Sequence, residues 1–375
     1  MYESWFSDRA KRFDASGIRK VFDLAANLEH PVNLSIGQPD FDTPKIAREA
    51  AMEAISGRRN GYTPTQGAAE LRGVVQKQID AEYGEGVREA FITSGTSGGL
   101  LLALMALVNP GDEVILFDPF FVMYDALVRM LGAKPVYIST YPDFKIDVNK
   151  VADAITDKTK LLIFNSPANP TGFVASEQEV RDLTQLVTEK GIVMISDEIY
   201  RFFCYDGTFC SPAKFSKDVI VLDGYSKCYG MPGWRVGFAH GPHEVMQQML
   251  KFQQYSFVCA PSVLQLGAIA AIGTDMTDIF NAYRHKRDMI YDGLKDYYEI
   301  PKSGGAFYAF PKAPIPSATD FVTKLIQEYQ LLVIPGNVFS SRDTNFRISF
   351  AASDETIEKG VEILRKAAQA CRGNL

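Results

Sequence analysis

The chain has 375 residues, 46% hydrophobic and 22% charged. This is ordinary globular composition, long enough for one large domain and a smaller one, and it excludes a disordered chain. A formal net charge of -6, with no long basic run, excludes nucleic acid and anionic membrane as expected partners.

The opening, "MYESWFSDRAKRF", is charged and lacks the apolar core of a signal peptide. "FITSGTSGG" (91–99) reads as a strand entering a Gly/Ser/Thr loop that opens a helix. The apolar run after it, "LLLALMALV" (100–108), is only about half of what a membrane span needs. Short apolar runs follow at 114–117 ("VILF"), 161–164 ("LLIF"), 192–195 ("IVMI") and 219–222 ("VIVL"). Runs of four without alternation predict strands covered on both faces, hence a mostly parallel sheet. Between two of them, "SEQEVRDLTQLVTEKG" (176–191) predicts a helix: Ser176 and Glu179 make a capping box, Val180, Leu183, Leu186 and Val187 repeat at helical spacing, and Gly191 stops it. The segment through "FNAYRHKRDMIYDGLKD" predicts a linking helix. "NFRISF" (345–350) alternates as a strand, with Arg347 opposite Phe346, Ile348 and Phe350, and "DETIEKGVEILRKAAQA" closes the chain as an amphipathic helix. The α/β pattern thus gives a large domain over 36–285 and a smaller α+β domain over 286–375, joined by an N-terminal arm, 1–35. The five cysteines include no CxxC pair, which fits reduced thiols in the cytoplasm better than disulfides or a zinc site.

In open parallel sheets ligands bind outside the carboxyl ends of the strands, so the residues after each run are the candidates. "LLIF" is followed by Asn165 and Asn169, "IVMI" by Asp197 and Tyr200, and "VIVL" by Ser226, Lys227 and then Arg235. Each has a plain structural reading. The Gly/Ser/Thr loop can merely cap its helix, Asp197 can cap the next one, Asn169 can close a turn, Tyr200 can pack, and Lys227 can be solvated. Together, an anion cradle, an amide, a carboxylate, a phenol, a lysine and an arginine at one edge suit a phosphorylated, positively polarised heteroaromatic held covalently by a lysine.

At this point the chain resembles the fold-type I, class I/II pyridoxal-phosphate aminotransferases. "LSIGQPDFDTP", "YTPTQGAAELR", "NSPANPTG", "SDEIY", "SKCYGMPGWRVGF", "GGAFYAFP" and "NFRISFA" each look like a family signature, in the family's order. "SDRAKRF…SGIRKVFDLA" and "MLKFQQYSFVCAP" are similar to the aspartate and aromatic aminotransferase branch. The resemblance implies that Lys227 holds pyridoxal 5'-phosphate as a Schiff base and shuttles the proton, that Asp197 pairs with the pyridine nitrogen, and that Asn169 and Tyr200 bond its phenolic oxygen. It implies Arg235, Gly95, Thr96, Ser97 and Ser226 around the phosphate, with Tyr62 of a neighbouring subunit reaching in, hence a homodimer with shared active sites. Phe121 would stack on the ring, and Arg347 would fork the substrate α-carboxylate beside Gly37. Gly224 stands where some members carry a phosphate-binding serine, Met231-Pro232-Gly233 replaces Met-Thr-Gly, and Gln38 stands for a common glutamate.

The implied activity is ping-pong transfer of an α-amino group from aspartate or an aromatic amino acid to a 2-oxo acid such as 2-oxoglutarate. A β-lyase or synthase on the same fold is the alternative. A nicotinamide-dependent oxidoreductase lacks its G-x-G-x-x-G, and a cofactor-binding regulator lacks room for a DNA-binding module in 1–35. Phe121, Tyr124, Trp5 and Phe13 are candidates for an aromatic wall around the substrate side chain, with core packing the plainer role.

Overall fold

The computed structural model describes residues 2–372 apart from 12, 14–16, 18–20, 22 and 25–27. Most of the 16–25 stretch, noted for its likeness to the aspartate and aromatic branch, therefore lies outside the described residues. In chain order the strands are β1 (Val32–Asn33), β2 (Glu89–Thr93), β3 (Glu113–Asp118), β4 (Lys134–Ser139), β5 (Thr159–Asn165) and β6 (Val193–Asp197). They continue with β7 (Ile220–Gly224), β8 (Gly237–Gly241), β9 (Tyr308–Ala309), β10 (Leu331–Leu332), β11 (Ile334–Pro335) and β12 (Phe346–Ser349).

Seven of these make one sheet in the order β2-β8-β7-β6-β5-β3-β4. The apolar runs explain why it is covered on both sides. Val114, Leu116, Leu161, Ile163 and Leu222 pack on one face with Leu100, Leu104 and Met249. Ile115, Leu162, Phe164 and Val221 pack on the other with Val180, Leu183 and Val187. Each such side chain contributes about 1.5–3 kcal/mol on burial. The helix Glu177–Glu189 carries the expected capping box, with Ser176 and Glu179 each bonding the other's backbone N–H.

The sheet is mostly parallel, with β8 antiparallel to both β7 and β2. The link from β7 to β8, residues 225–236, carries only turns and a short 3-10 helix, Pro232–Trp234, with no α-helix to cross over the sheet. The consequence is functional. The start of β8, not its end, lies at the edge where β5, β6 and β7 finish, and this brings Arg235 next to the loop after β2.

The C-terminal region builds a three-stranded antiparallel sheet, β11-β12-β9, and β10 pairs in parallel with β1 of the N-terminal region. The helices Thr277–Leu294, Ala318–Tyr329 and Asp354–Arg372 pack over this part through Leu294, Leu325 and Leu364. The alternation in "NFRISF" holds, but its polar face is not solvated. Phe346 and Ile348 fill the core, and Arg347, on the opposite face, is only 2% exposed. None of the helices among the described residues is long and apolar enough to cross a membrane.

Candidate active site

A cavity of about 370 Å³ opens at the edge where the parallel strands end, and three cations, Lys227, Arg235 and Arg347, line it with the single carboxylate of Asp197. Each arrives from a different element. Asp197 ends β6, Lys227 follows β7, Arg235 precedes β8 and Arg347 lies in β12.

Lys227 is buried, and its Nζ donates to the carbonyl of Gly37 at 2.8 Å. Burial, then the positive charges of Arg347 and Arg235, pull its pKa down to about 8, against the opposing pull of Asp197. The carboxylate of Asp197 accepts from the Tyr124 hydroxyl at 2.8 Å and from the backbone N–H of Ile199 at 3.3 Å. Burial raises its pKa, and those two hydrogen bonds and Lys227 act against the rise. Asn165 fixes the floor, donating to the Asp197 carbonyl at 2.9 Å and accepting from the backbone N–H of Asn169 at the same distance.

The two arginines are held by neutral oxygens. Arg235 donates to the carbonyls of Pro232 (3.0 Å) and Ser94 (3.4 Å) from a left-handed backbone position. Gly95 starts the helix Gly95–Leu107 with φ +68°, and a Cβ there would overlap the Arg235 guanidinium. Thr96 and Ser97 line the cavity beside that guanidinium. Arg347 donates to Asn169 Oδ1 at 3.1 Å and to the Ser35 carbonyl at 2.8 Å, while its buried Nε has no partner. Its guanidinium lies 4.6 Å from the ring centroids of both Tyr308 and Phe339. Burial pushes its pKa down from the usual arginine range.

The fold thus brings Lys227, Asp197, Tyr200, Asn169, Arg235, Arg347, Gly37, Thr96, Ser97, Ser226 and Phe121 to one cavity, with Gly95 directly behind it. Tyr62 does not line the cavity of its own chain and is 87% exposed. Of the four aromatic wall candidates, Phe121 and Tyr124 line the cavity; Trp5, 75% exposed, and Phe13 do not. Tyr124 lines the cavity with its hydroxyl committed to Asp197. Gly224 has a packing reason: it pairs with Gly237 across β7 and β8, and a Cβ would come 2.9 Å from the Gly237 Cα. Tyr308 was missed as a site residue, and Asn165 was named as a candidate but given no role. Asn165 directly follows an apolar run and stood among the strand-end candidates, whereas Tyr308, inside the "GGAFYAFP" signature, carries no local sign of its role.

A lysine whose pKa is drawn down to about 8, with a buried carboxylate and two arginines around it at the carboxyl edge of such a sheet, defines an enzyme of amino-group chemistry on the fold-type I architecture. The chain belongs to the family described as aminotransferase class I and II, whose model matches residues 29–364. The probable aspartate aminotransferase of Methanocaldococcus jannaschii is 37% identical, over 96% of this chain and 99% of its own length. The aromatic-amino-acid aminotransferase 2 of Thermococcus litoralis is 32% identical, over 96% and 97%. Among solved structures, the aspartate aminotransferase from Thermus thermophilus with maleate superposes with a TM-score of 0.92 at 31% identity, covering 96% of this chain and 99% of that one.

Proposed function

We propose that this aminotransferase moves an α-amino group from aspartate or an aromatic amino acid to a 2-oxo acid such as 2-oxoglutarate, in two half-reactions, with pyridoxal phosphate bound in the cavity. The observation that carries the reading is the charge imbalance there: three cations face one carboxylate, and the cations spend their hydrogen bonds on neutral oxygens. Such a cavity calls for anions, and a phosphate and an α-carboxylate would balance it. The donor set fits the cofactor. Arg235 with Thr96 and Ser97 suits a phosphate at a helix N-terminus, Asp197 suits a protonated ring nitrogen, and the unpartnered Nε of Arg347 suits a carboxylate.

Pyridoxal phosphate, when bound, supplies an electrophilic carbonyl carbon and an electron-accepting ring. The residues supply the rest. Lys227, with its pKa near 8, offers a neutral Nζ at modest alkalinity to take the proton from the substrate Cα. Asp197 presents a carboxylate fixed by Tyr124 and Ile199, so its charge needs no reorganisation during the reaction. Arg347, clamped between two rings, orients the α-carboxylate and thereby the Cα–H bond. Arg347 comes from the C-terminal part and the other charged groups from the 36–285 part, and the boundary between them falls within the linking helix Thr277–Leu294. The exposed Tyr62 is free to enter a partner's cavity, which supports a homodimer, and five free thiols suit the cytoplasm.

The test is the visible spectrum of the purified protein, before and after aspartate, then phenylalanine. A band that disappears with a donor and returns with 2-oxoglutarate supports transamination, and the faster donor names the class. Accumulation of pyruvate and ammonia from a donor with a β leaving group, such as cysteine, would move the assignment to a lyase.

A further inference from the structure

Tyr308 sits where three parts of the site meet, and none of the roles above uses its hydroxyl. It lies in β9 opposite Ser349 of β12, so Arg347, two residues before Ser349, is its diagonal neighbour on the same face. The residue is 1% exposed. Its ring carries the Arg347 guanidinium at 4.6 Å, and its hydroxyl is 2.8 Å from that of Tyr200. The same hydroxyl is 3.5 Å from the Gly37 carbonyl, which already accepts from Lys227 Nζ at 2.8 Å. Gly37 leaves room for this arrangement, since a Cβ there would come 2.7 Å from the Tyr308 hydroxyl.

We propose that Tyr308 is a positioning residue that donates its hydroxyl proton to Tyr200, fixing the Tyr200 hydrogen on the cavity side, while its ring beds Arg347. The argument is one of proton count. Two phenols in contact share one proton between their oxygens, and the other phenol directs its own elsewhere. Among the described residues the one alternative acceptor for Tyr308 is the Gly37 carbonyl, and at 3.5 Å it is a much longer contact than the 2.8 Å to Tyr200. With Tyr308 donating to Tyr200, the Tyr200 proton is free to face whatever oxygen occupies the cavity. The T-shaped contacts of Tyr200 with Phe307 (5.2 Å) and Tyr308 (5.7 Å) hold both rings in this relation. The inference rests on the proposed cofactor, whose phenolic oxygen is the acceptor meant for Tyr200.

Tyr308→Phe keeps the ring and removes only the hydroxyl. With pyridoxal phosphate bound, the pH titration of the visible band should shift upward by roughly half to one unit, the size of one neutral hydrogen bond. The KM for the amino donor should stay within about twofold, because the bed of Arg347 is intact, while kcat falls on the order of fivefold. Tyr308→Leu, which also removes the ring, should raise KM as well. In the Tyr200→Phe background, Tyr308→Phe should shift the titration no further, since the two hydroxyls act in series. An unshifted titration in Tyr308→Phe, or full additivity with Tyr200→Phe, overturns the proposal. If the wild type itself shows no titrating band with pyridoxal phosphate, the cofactor reading fails instead, and the two failures are told apart.

Discussion

Replacing Lys227 by methionine in the cofactor-free protein tests the electrostatics of the cavity without relying on turnover. Methionine has similar length and no charge, so it keeps the packing and removes only the ammonium. Burial and the two arginines lower the lysine pKa from 10.5 in a solvated chain to about 8. At 1.36 kcal/mol per pH unit that difference is worth about 3 kcal/mol. Below pH 8 the lysine is charged in both the folded and unfolded chain, and the folded protein bears the full penalty. Between pH 8 and 10.5 it is neutral when folded and still charged when unfolded, so the unfolded chain binds more protons and stability rises with pH. Above 10.5 it is neutral in both and the penalty is gone. Lys227→Met should therefore exceed the wild type in stability by about 3 kcal/mol more at pH 7 than above pH 10.5. Urea unfolding of both cofactor-free proteins from pH 7 to 10.5 measures this, and taking the difference cancels tyrosine ionisation common to both. A difference that stays constant across that range would refute the argument that the cavity disfavours the ammonium.

Asp197→Asn keeps the shape and removes the charge, so kcat should fall about 10²–10³-fold while pyridoxal phosphate binds with little change; single-turnover kinetics and a binding titration separate the two. Arg347→Ala should raise KM for every amino donor alike, about tenfold or more for a lost charged hydrogen bond, and steady-state assays with aspartate and phenylalanine check it. Gly237→Ala drives a Cβ to 2.9 Å from the backbone of Gly95, Thr96 and Asp223, so it should lose about 1–3 kcal/mol of stability and weaken cofactor binding, seen by thermal unfolding and spectral titration. Ser176→Ala removes one half of a capping box far from the cavity and should cost about 1 kcal/mol in urea unfolding with kcat unchanged.

Local chemistry was legible in the sequence because it depends on near neighbours. Four-residue apolar runs bounded by turns read as strands covered on two faces, Ser176 and Glu179 bond each other across one helical turn, and residues following parallel strands share an edge whatever the fold's details. That logic, with the ordered motifs, brought Lys227, Asp197, Asn169, Tyr200, Arg235 and Arg347 into view. What joins residues distant in the chain was not legible. Tyr124 bonds Asp197 across 73 positions, and Tyr308 meets Tyr200 across 108. No periodicity encodes such pairings, because they depend on strand order and on where the C-terminal sheet packs. The same gap means that alternation by itself suits Arg347 to solvent as well as to a ligand. Alternation fixes which face a side chain takes, but only the packing of the C-terminal sheet against the large one decides whether that face meets water or a cavity.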